Sequence, residues 1–334
     1  MSTVENANIW VGLDLGGTKM LATVYDAEFK PVGRKRLKTK GAEGTDSVTN
    51  RMIRAVREAL EEAKVEPDRV SGIGVGIPGP VDQEKGIVLE AVNLSWENVP
   101  LAKLLQKEFD RPVVVLNDVD AGVYGEYRFG AAKSARTALG IFPGTGIGGG
   151  CVYDGQIIRG KRNSCMEIGH ISVMPDGQLC GCGLRGCLET EASRLAIAGE
   201  VAKAAFRGEA PTIMKLTGTK IADIRSSVLA EAIAAGDKVV EQIVRRSARI
   251  LGTAVASCVH LLCPDIIVLG GGLVEAMPEL YVESVASAAR KAVMPSFTDT
   301  FKVVAGKLGD DAGVMGCAAW AEKTFITRQT KADT

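Results

Sequence analysis

The chain has 334 residues, a length that suggests about two domains. Forty Lys and Arg balance forty Asp and Glu, so the formal net charge is zero, which argues against a nucleic-acid or acidic-membrane partner. Hydrophobic residues make up 46% of the chain, yet no run reaches the roughly 18–20 apolar residues of a membrane-spanning helix, and the polar start lacks a signal-peptide pattern. The expectation is a globular cytoplasmic protein with a core large enough to need no disulfide staples.

The first predicted element is an apolar strand over 9–15, running into Gly16-Gly17-Thr18-Lys19 and then a strand over 20–25. Val48, Met52, Ile53, Val56 and Leu60 recur at three-to-four spacing and predict an amphipathic helix over 48–65. A strand over 73–77 stops at Pro78-Gly79-Pro80, a helix covers 101–109, and a buried-type strand over 113–116 ends in Asn117-Asp118. A strand over 137–142 then enters the glycine-rich stretch 144–150 and is followed by a strand over 151–153. A helix-rich region spans 192–263, a strand over 266–269 enters Gly270-Gly271-Gly272, and a strand at 303–304 precedes a last helix over 312–325. Strands alternating with helices predict an α/β fold. Strand, glycine-rich turn and strand occur twice, over 9–26 and 139–154, and both copies end in Val-Tyr-Asp. This echo points to two related lobes, each offering a glycine-rich hairpin to one cleft.

A glycine-rich turn between strands can aim several backbone N–H groups at one anion, because no Cβ blocks the approach. In the first turn Gly16 and Gly17 shape the loop, Thr18 adds a hydroxyl and Lys19 a positive charge. Asp14 stands at the strand end, where a carboxylate suits Mg²⁺. This is not a Walker A loop, since Thr18 precedes Lys19 and a strand rather than a helix follows. Gly144-x-Gly146-x-x-Gly149 has dinucleotide-fingerprint spacing, but it too opens a strand where the fingerprint should open a helix. Asp118, beyond three consecutive valines, is placed to take a proton from a substrate hydroxyl or, alternatively, to cap the helix that follows. His170 with Cys180, Cys182 and Cys187 forms a four-ligand set that leaves no open position, hence a structural zinc. His260, in a long helical pattern, reads as a packing or helix-terminus residue.

Together these residues resemble the ROK family of sugar kinases and repressors, within the actin/hexokinase/Hsp70 superfamily. The resemblance runs from Asp14 to the last helix. Its most specific part is Cys180-x-Cys182-Gly183-x-x-Gly186-Cys187-x-Glu189 with Glu167-x-Gly169-His170. It implies a two-lobe actin-like ATPase (ribonuclease H-like) fold, with a smaller lobe of 1–118 plus 308–334 and a larger lobe of 119–307. The activity implied is ATP-dependent phosphorylation of a hexose, by default the 6-hydroxyl of glucose, with Asp118 as base. By the same resemblance Asp14, Gly16, Gly17, Thr18 and Lys19, with Gly144, Thr145, Gly146 and Gly148, hold ATP·Mg²⁺, and Gly270, Gly271 and Gly272 form the adenosine-side turn. Asn93, Asn117, Asp118, Glu167, His170 and Glu189 become sugar ligands, with His170 shared between sugar and zinc. A homodimer is implied, with 239–263 as interface or simply core.

Other acceptors (N-acetylmannosamine, N-acetylglucosamine, fructose, allose), polyphosphate as donor, and a non-catalytic sugar sensor are the rivals. A repressor of this family carries a DNA-binding module ahead of the first glycine loop, where this sequence has 13 residues before Asp14. One departure stands out: Asp120 replaces the family's usual Asn. A second carboxylate near Asp118 is expected to raise the pKa of the base and shift the activity optimum to alkaline pH.

Overall fold

The structure, a computed structural model, describes residues 8–161 and 165–332. In chain order these residues form β1 (Ile9–Leu15), β2 (Lys19–Tyr25), β3 (Pro31–Lys38), α1 (Thr45–Ala63), β4 (Val70–Ile77), β5 (Val81–Asp82), β6 (Ile87–Ala91), β7 (Trp96–Val99), α2 (Leu101–Phe109), β8 (Val113–Asn117) and α3 (Asp118–Phe129). They continue as β9 (Thr137–Pro143), β10 (Ile147–Tyr153), β11 (Gln156–Ile157), α4 (Leu188–Ala192), α5 (Arg194–Phe206), α6 (Pro211–Thr217), α7 (Ser226–Ala234) and α8 (Lys238–Leu262). The last elements are β12 (Ile266–Leu269), α9 (Gly272–Ala276), α10 (Pro278–Ala292), β13 (Lys302–Ala305) and α11 (Asp311–Ala332). The predicted strands and helices are all present, several of them longer than expected. The glycines of the second hairpin are partly strand: β10 begins at Ile147, so Gly148 pairs with Phe142 instead of lying in the turn.

The chain divides into two compact units, Met1–Lys133 with Ile157–Cys165 and Asp310–Thr334, and Ser134–Gln156 with Met166–Gly309. In this division α3, which the sequence reading assigned to the larger lobe, goes with the first unit, because it packs along α11. Each unit is built on a five-stranded mixed sheet, ordered β3-β2-β1-β4-β8 in the first and β11-β10-β9-β12-β13 in the other. The two orders are the same once equivalent strands are matched. An antiparallel hairpin (β1–β2, β9–β10) is extended by parallel strands on the side of its first member (β4 then β8, β12 then β13). The echo in the sequence is therefore a repeat of topology, and both hairpin turns lie beyond the carboxyl ends of β1 and β9.

The first unit is cored where α1 and α2 pack on the sheet. Val48, Met52, Val56 and Leu60 of α1 are buried with Leu13, Met20, Val24 and Val75, while Ile53 packs at the margin. Helix α11 lies on β1 and β4 so closely that a Cβ at Gly12 would sit 1.9 Å from the carbonyl oxygen of Val314. In the second unit α8 turns Val240, Val244, Leu251, Val255 and Val259 into the core and packs against α10 through Tyr281, Val285 and Ala289. Most apolar residues of 239–263 are thus spent inside their own unit. His260 ends that helix as expected, accepting from the Met294 N–H at 3.0 Å.

Candidate active site

The first hairpin closes with Gly16 N–H donating to the Lys19 carbonyl at 3.0 Å. The end of β3 straps the turn from outside: Thr39 Oγ1 donates to the Gly16 carbonyl at 2.6 Å and Thr39 N–H to the Thr18 carbonyl at 2.9 Å. Gly17, Thr18 and Lys19 remain exposed. Lys19 is held on Asp310, Nζ to Oδ2 at 2.8 Å, and Arg36 binds the same oxygen at 3.0 Å. The positive charge expected of Lys19 is present, but fixed by a carboxylate in the turn before α11.

Asp14, at the strand end, is enclosed by the start of α11, where a Cβ at Gly313 would lie 2.9 Å from its Oδ2. Burial, then the neighbouring carboxylates of Asp118 and Asp310, push its pKa up to about 7, against the opposing pull of Lys19. A carboxylate at a strand end is a hard oxygen donor of the type that suits Mg²⁺. The buried Cys317 thiol lies alongside, its pKa pushed well up by burial and by Asp14 and Asp118, so it stays neutral.

Between the two roles weighed for Asp118, the fold gives the cap to its neighbour. Asn117 Oδ1 accepts from Val119 N–H at 2.9 Å and Asp120 N–H at 3.1 Å, while its Nδ2 donates to the Gly79 carbonyl at 3.2 Å. Both polar ends of Asn117 are thus committed to backbone. Asp118 is the first helical residue, and its Oδ1 accepts from the adjacent Val119 N–H at 2.9 Å. Asp120 is buried two positions further on. Asn93 is exposed on a short turn beside the first hairpin, its Nδ2 4.0 Å from where a Cβ on Gly17 would stand.

The second unit brings together the other predicted residues. Its hairpin closes with Gly144 N–H donating to the Gly146 carbonyl at 2.8 Å. Ile147 N–H donates to Glu189 Oε2 at 2.9 Å, and a Cβ at Gly146 would come within 2.3 Å of that oxygen, so a side chain there would push the Glu189 carboxylate aside. Gly270 N–H donates to the Ile141 carbonyl at 3.0 Å, joining the third glycine run to the hairpin base, and Gly271 takes a left-handed φ of 79° before α9 starts. Glu167 lies exposed just before the short turn that carries His170.

His170, Cys180, Cys182 and Cys187 place their ligand atoms within 4.8 Å of one another. His170 Nδ1 is 3.7 Å from Cys180 Sγ, and Cys182 Sγ is 3.6 Å from Cys187 Sγ. A tetrahedron with Zn–S bonds of about 2.3 Å has edges of about 3.8 Å, so the set fits zinc. Burial and the adjacent thiols push Cys187 up to about 12. Thiols packed this closely resist ionising together until a cation compensates them. Glu189 links this cluster to the hairpin, its Oε1 3.9 Å from Cys180 Sγ.

Three residues escaped the sequence reading. Arg194 donates its backbone N–H to the Gly144 carbonyl at 2.9 Å and its Nη2 to Thr145 Oγ1 at 2.8 Å. Ser193 signals the start of α5, but nothing in the sequence shows that the next side chain reaches the hairpin. Asp310 and Cys317 meet the first hairpin from the far end of the chain. The acidic pair before the last helix was the available signal for Asp310.

The ROK family model matches residues 10–324. A glucokinase of Thermotoga maritima is 33% identical over 311 residues, spanning 92% of this chain and 96% of that protein. The crystal structure of a ROK family glucokinase from Streptomyces griseus in complex with glucose and AMPPNP aligns with a TM-score of 0.82 at 32% identity, over 95% of this chain and 99% of that one. A xylose repressor of Caldicellulosiruptor bescii is 27% identical over 309 residues, spanning 92% of this chain and 77% of the repressor. These matches give the chain the two-lobe actin-like ATPase fold.

Proposed function

The chain belongs to the ROK family, and on that basis we propose that it is an ATP-dependent glucokinase, transferring the γ-phosphoryl group to the 6-hydroxyl of glucose with Asp118 as general base. Sugar kinase is the class its glucokinase relatives support. The observation that carries the finer reading is the place of Asp118 at the first position of α3, next to the capping Asn117 and bearing on the carboxylate of Asp14 beside the first hairpin. A carboxylate so placed accepts the hydroxyl proton as the sugar oxygen bonds to phosphorus. The bond from phosphorus to the ADP oxygen breaks, and its electron pair leaves with ADP. Backbone N–H groups of the two hairpins, with Lys19, hold the phosphates, and Asp14 holds Mg²⁺ carried by the nucleotide. Asn93, Glu167, His170 and Glu189 contact sugar hydroxyls. Asn117 acts chiefly by fixing the start of α3, since its own polar atoms are bonded to backbone.

Zinc, when bound, supplies a fixed crosslink and no chemistry of its own. His170, Cys180, Cys182 and Cys187 hold it, with His170 Nδ1 turned to the cluster and Nε2 presented on the opposite side of the ring to a sugar hydroxyl. Glu189, bonded to Ile147 N–H, carries the order of that cluster to the second hairpin.

Measuring ADP release with ATP·Mg²⁺ and with polyphosphate, across hexoses and N-acetylhexosamines, tests the proposal. Glucose is expected to give the highest kcat/KM with ATP, and the product to carry phosphate at the 6-position. A preference for N-acetylmannosamine, N-acetylglucosamine or fructose reassigns the acceptor. The similarity to xylose repressors favours one second reading, a sugar sensor. It requires sugar binding by zinc-loaded protein with no turnover from either donor.

A further inference from the structure

The two hairpins can be aligned residue by residue. Val24-Tyr25-Asp26 matches Val152-Tyr153-Asp154, and counting back from these gives Gly12 opposite Gly140, Gly16 opposite Gly144 and Lys19 opposite Ile147. The ladders make the second turn one residue shorter: Gly12 pairs with Thr23 but Gly140 with Gly150, and Gly16 N–H bonds to the Lys19 carbonyl where Gly144 N–H bonds to the Gly146 carbonyl, so within the turn Lys19 falls opposite Gly146. The first turn therefore carries a cation where the second carries a glycine, and residues 144–150 hold no charged side chain at all.

Arg194 supplies a cation to that turn from outside. It is the first residue of α5, and its backbone N–H and Nη2 both bond to the turn, at the Gly144 carbonyl and Thr145 Oγ1. Nη1 reaches the Ile224 carbonyl at 3.4 Å. All its partners are neutral oxygens, and no carboxylate among the described residues forms an ion pair with it. A guanidinium has five N–H donors in a fixed fork, so bonding to Thr145 and Ile224 leaves donors and the whole charge uncommitted. Glu189, the acid bonded to this hairpin, spends Oε2 on Ile147 N–H. A half-buried arginine anchored on a glycine turn by neutral bonds is pre-organised for an anion. Anchoring reduces the side-chain entropy lost when the anion arrives.

We propose that Arg194 is a phosphate-binding residue of the second hairpin, donating to a phosphate oxygen of ATP as the counterpart of Lys19 in the first. The inference rests on the kinase reading for the identity of the anion, and its test is direct nucleotide binding, which needs no turnover. The probes are a fluorescent ATP analogue and adenosine, titrated into the full chain and its Arg194→Gln and Arg194→Lys variants, with KM for ATP and for sugar measured alongside. Arg194→Gln, which keeps a donor but loses the charge, is expected to weaken ATP binding tenfold or more. Adenosine affinity and sugar KM should stay within twofold, and Arg194→Lys should restore ATP binding to within threefold of wild type. The proposal is overturned if Arg194→Gln binds ATP like wild type, or if adenosine affinity falls as far as ATP affinity, which marks a purely structural latch. It is equally overturned if the lysine variant is as weak as the glutamine variant. Wild-type protein that binds ATP but phosphorylates no sugar defeats the kinase reading alone; wild type that binds no ATP defeats both.

Discussion

The two hairpins share strand order and a closing tripeptide, with ladders offset by one residue, yet they are furnished in opposite ways. The β1–β2 turn is charged: Asp14, Lys19, Arg36 and Asp310 form a compact network, and the acid at the strand end is raised to about 7. The β9–β10 turn is neutral, with Phe142 and Pro143 at its strand end, and it borrows Glu189 and Arg194 from the segment that follows the cysteine cluster. One backbone device is thus put to two uses. The first collects acids suited to a metal ion and a proton, while the second is a cradle of amides held in shape by neighbouring side chains. The first hairpin owes its order to ion pairs within its unit, and the second owes part of its order to the Cys/His cluster.

Removing that cluster is the most drastic way to break the comparison. Cys187→Ser should lose stoichiometric zinc by metal analysis and lower kcat/KM for sugar by roughly 100-fold, while ATP affinity falls less, because Glu189 passes part of the damage to the hairpin. Equal loss of zinc with unchanged sugar kinetics refutes the bracing role. The next test compares the turns themselves. Gly146→Ala pushes the Glu189 carboxylate off Ile147 N–H and should lower the melting temperature by a few degrees and raise KM for ATP by a few-fold, whereas Gly17→Ala meets nothing nearer than 4.0 Å and should leave the melting temperature unchanged. Similar stability losses in both variants would erase the distinction.

A smaller effect concerns pH. Asp14 has its pKa raised from 3.8 to about 7 on folding, so it favours the folded state only while protonated. Its contribution is fully present below about pH 3.8 and is lost as pH rises through about 7. In metal-free buffer Asp14→Asn should therefore melt close to wild type near pH 4 and several degrees above it at pH 8, on the order of 2–4 °C per kcal/mol relieved. No such dependence is expected at the second hairpin, where Phe142 holds the equivalent place. Least of all, Asp120→Asn should move the pH optimum of turnover towards acid by less than about one unit. An unchanged profile removes Asp120 from the account of the base.

What the sequence revealed follows from what each residue's neighbours are. The hairpins, α1 and β12 were legible because apolar periodicity and glycine turns are local signals. Strand β3 was missed because it is a sheet edge, reading Pro-Val-Gly-Arg-Lys-Arg-Leu-Lys, and its charges are consumed by partners elsewhere in the chain such as Asp310, Asp311 and Glu58. Strands β5 to β7 are short and lack sustained alternation. The cysteine cluster was readable because its ligands crowd into eighteen residues from His170 to Cys187. The contact of Lys19 with Asp310 spans 291 positions, and the reach of Arg194 to Thr145 spans 49, so neither leaves a local trace. The exchange of capping duty between Asn117 and Asp118 lies below the resolution of a motif, since both are good N-caps and only backbone geometry assigns the role.

The central claim is that Asp118 is the base of a sugar phosphorylation, and the most direct measurement compares wild type with Asp118→Asn in glucose-dependent ADP release. The account predicts turnover in wild type and a loss of about 10²–10⁴-fold in kcat in the variant, with melting temperature and ATP affinity retained. An Asp118→Asn enzyme that turns over at near wild-type rate would contradict it.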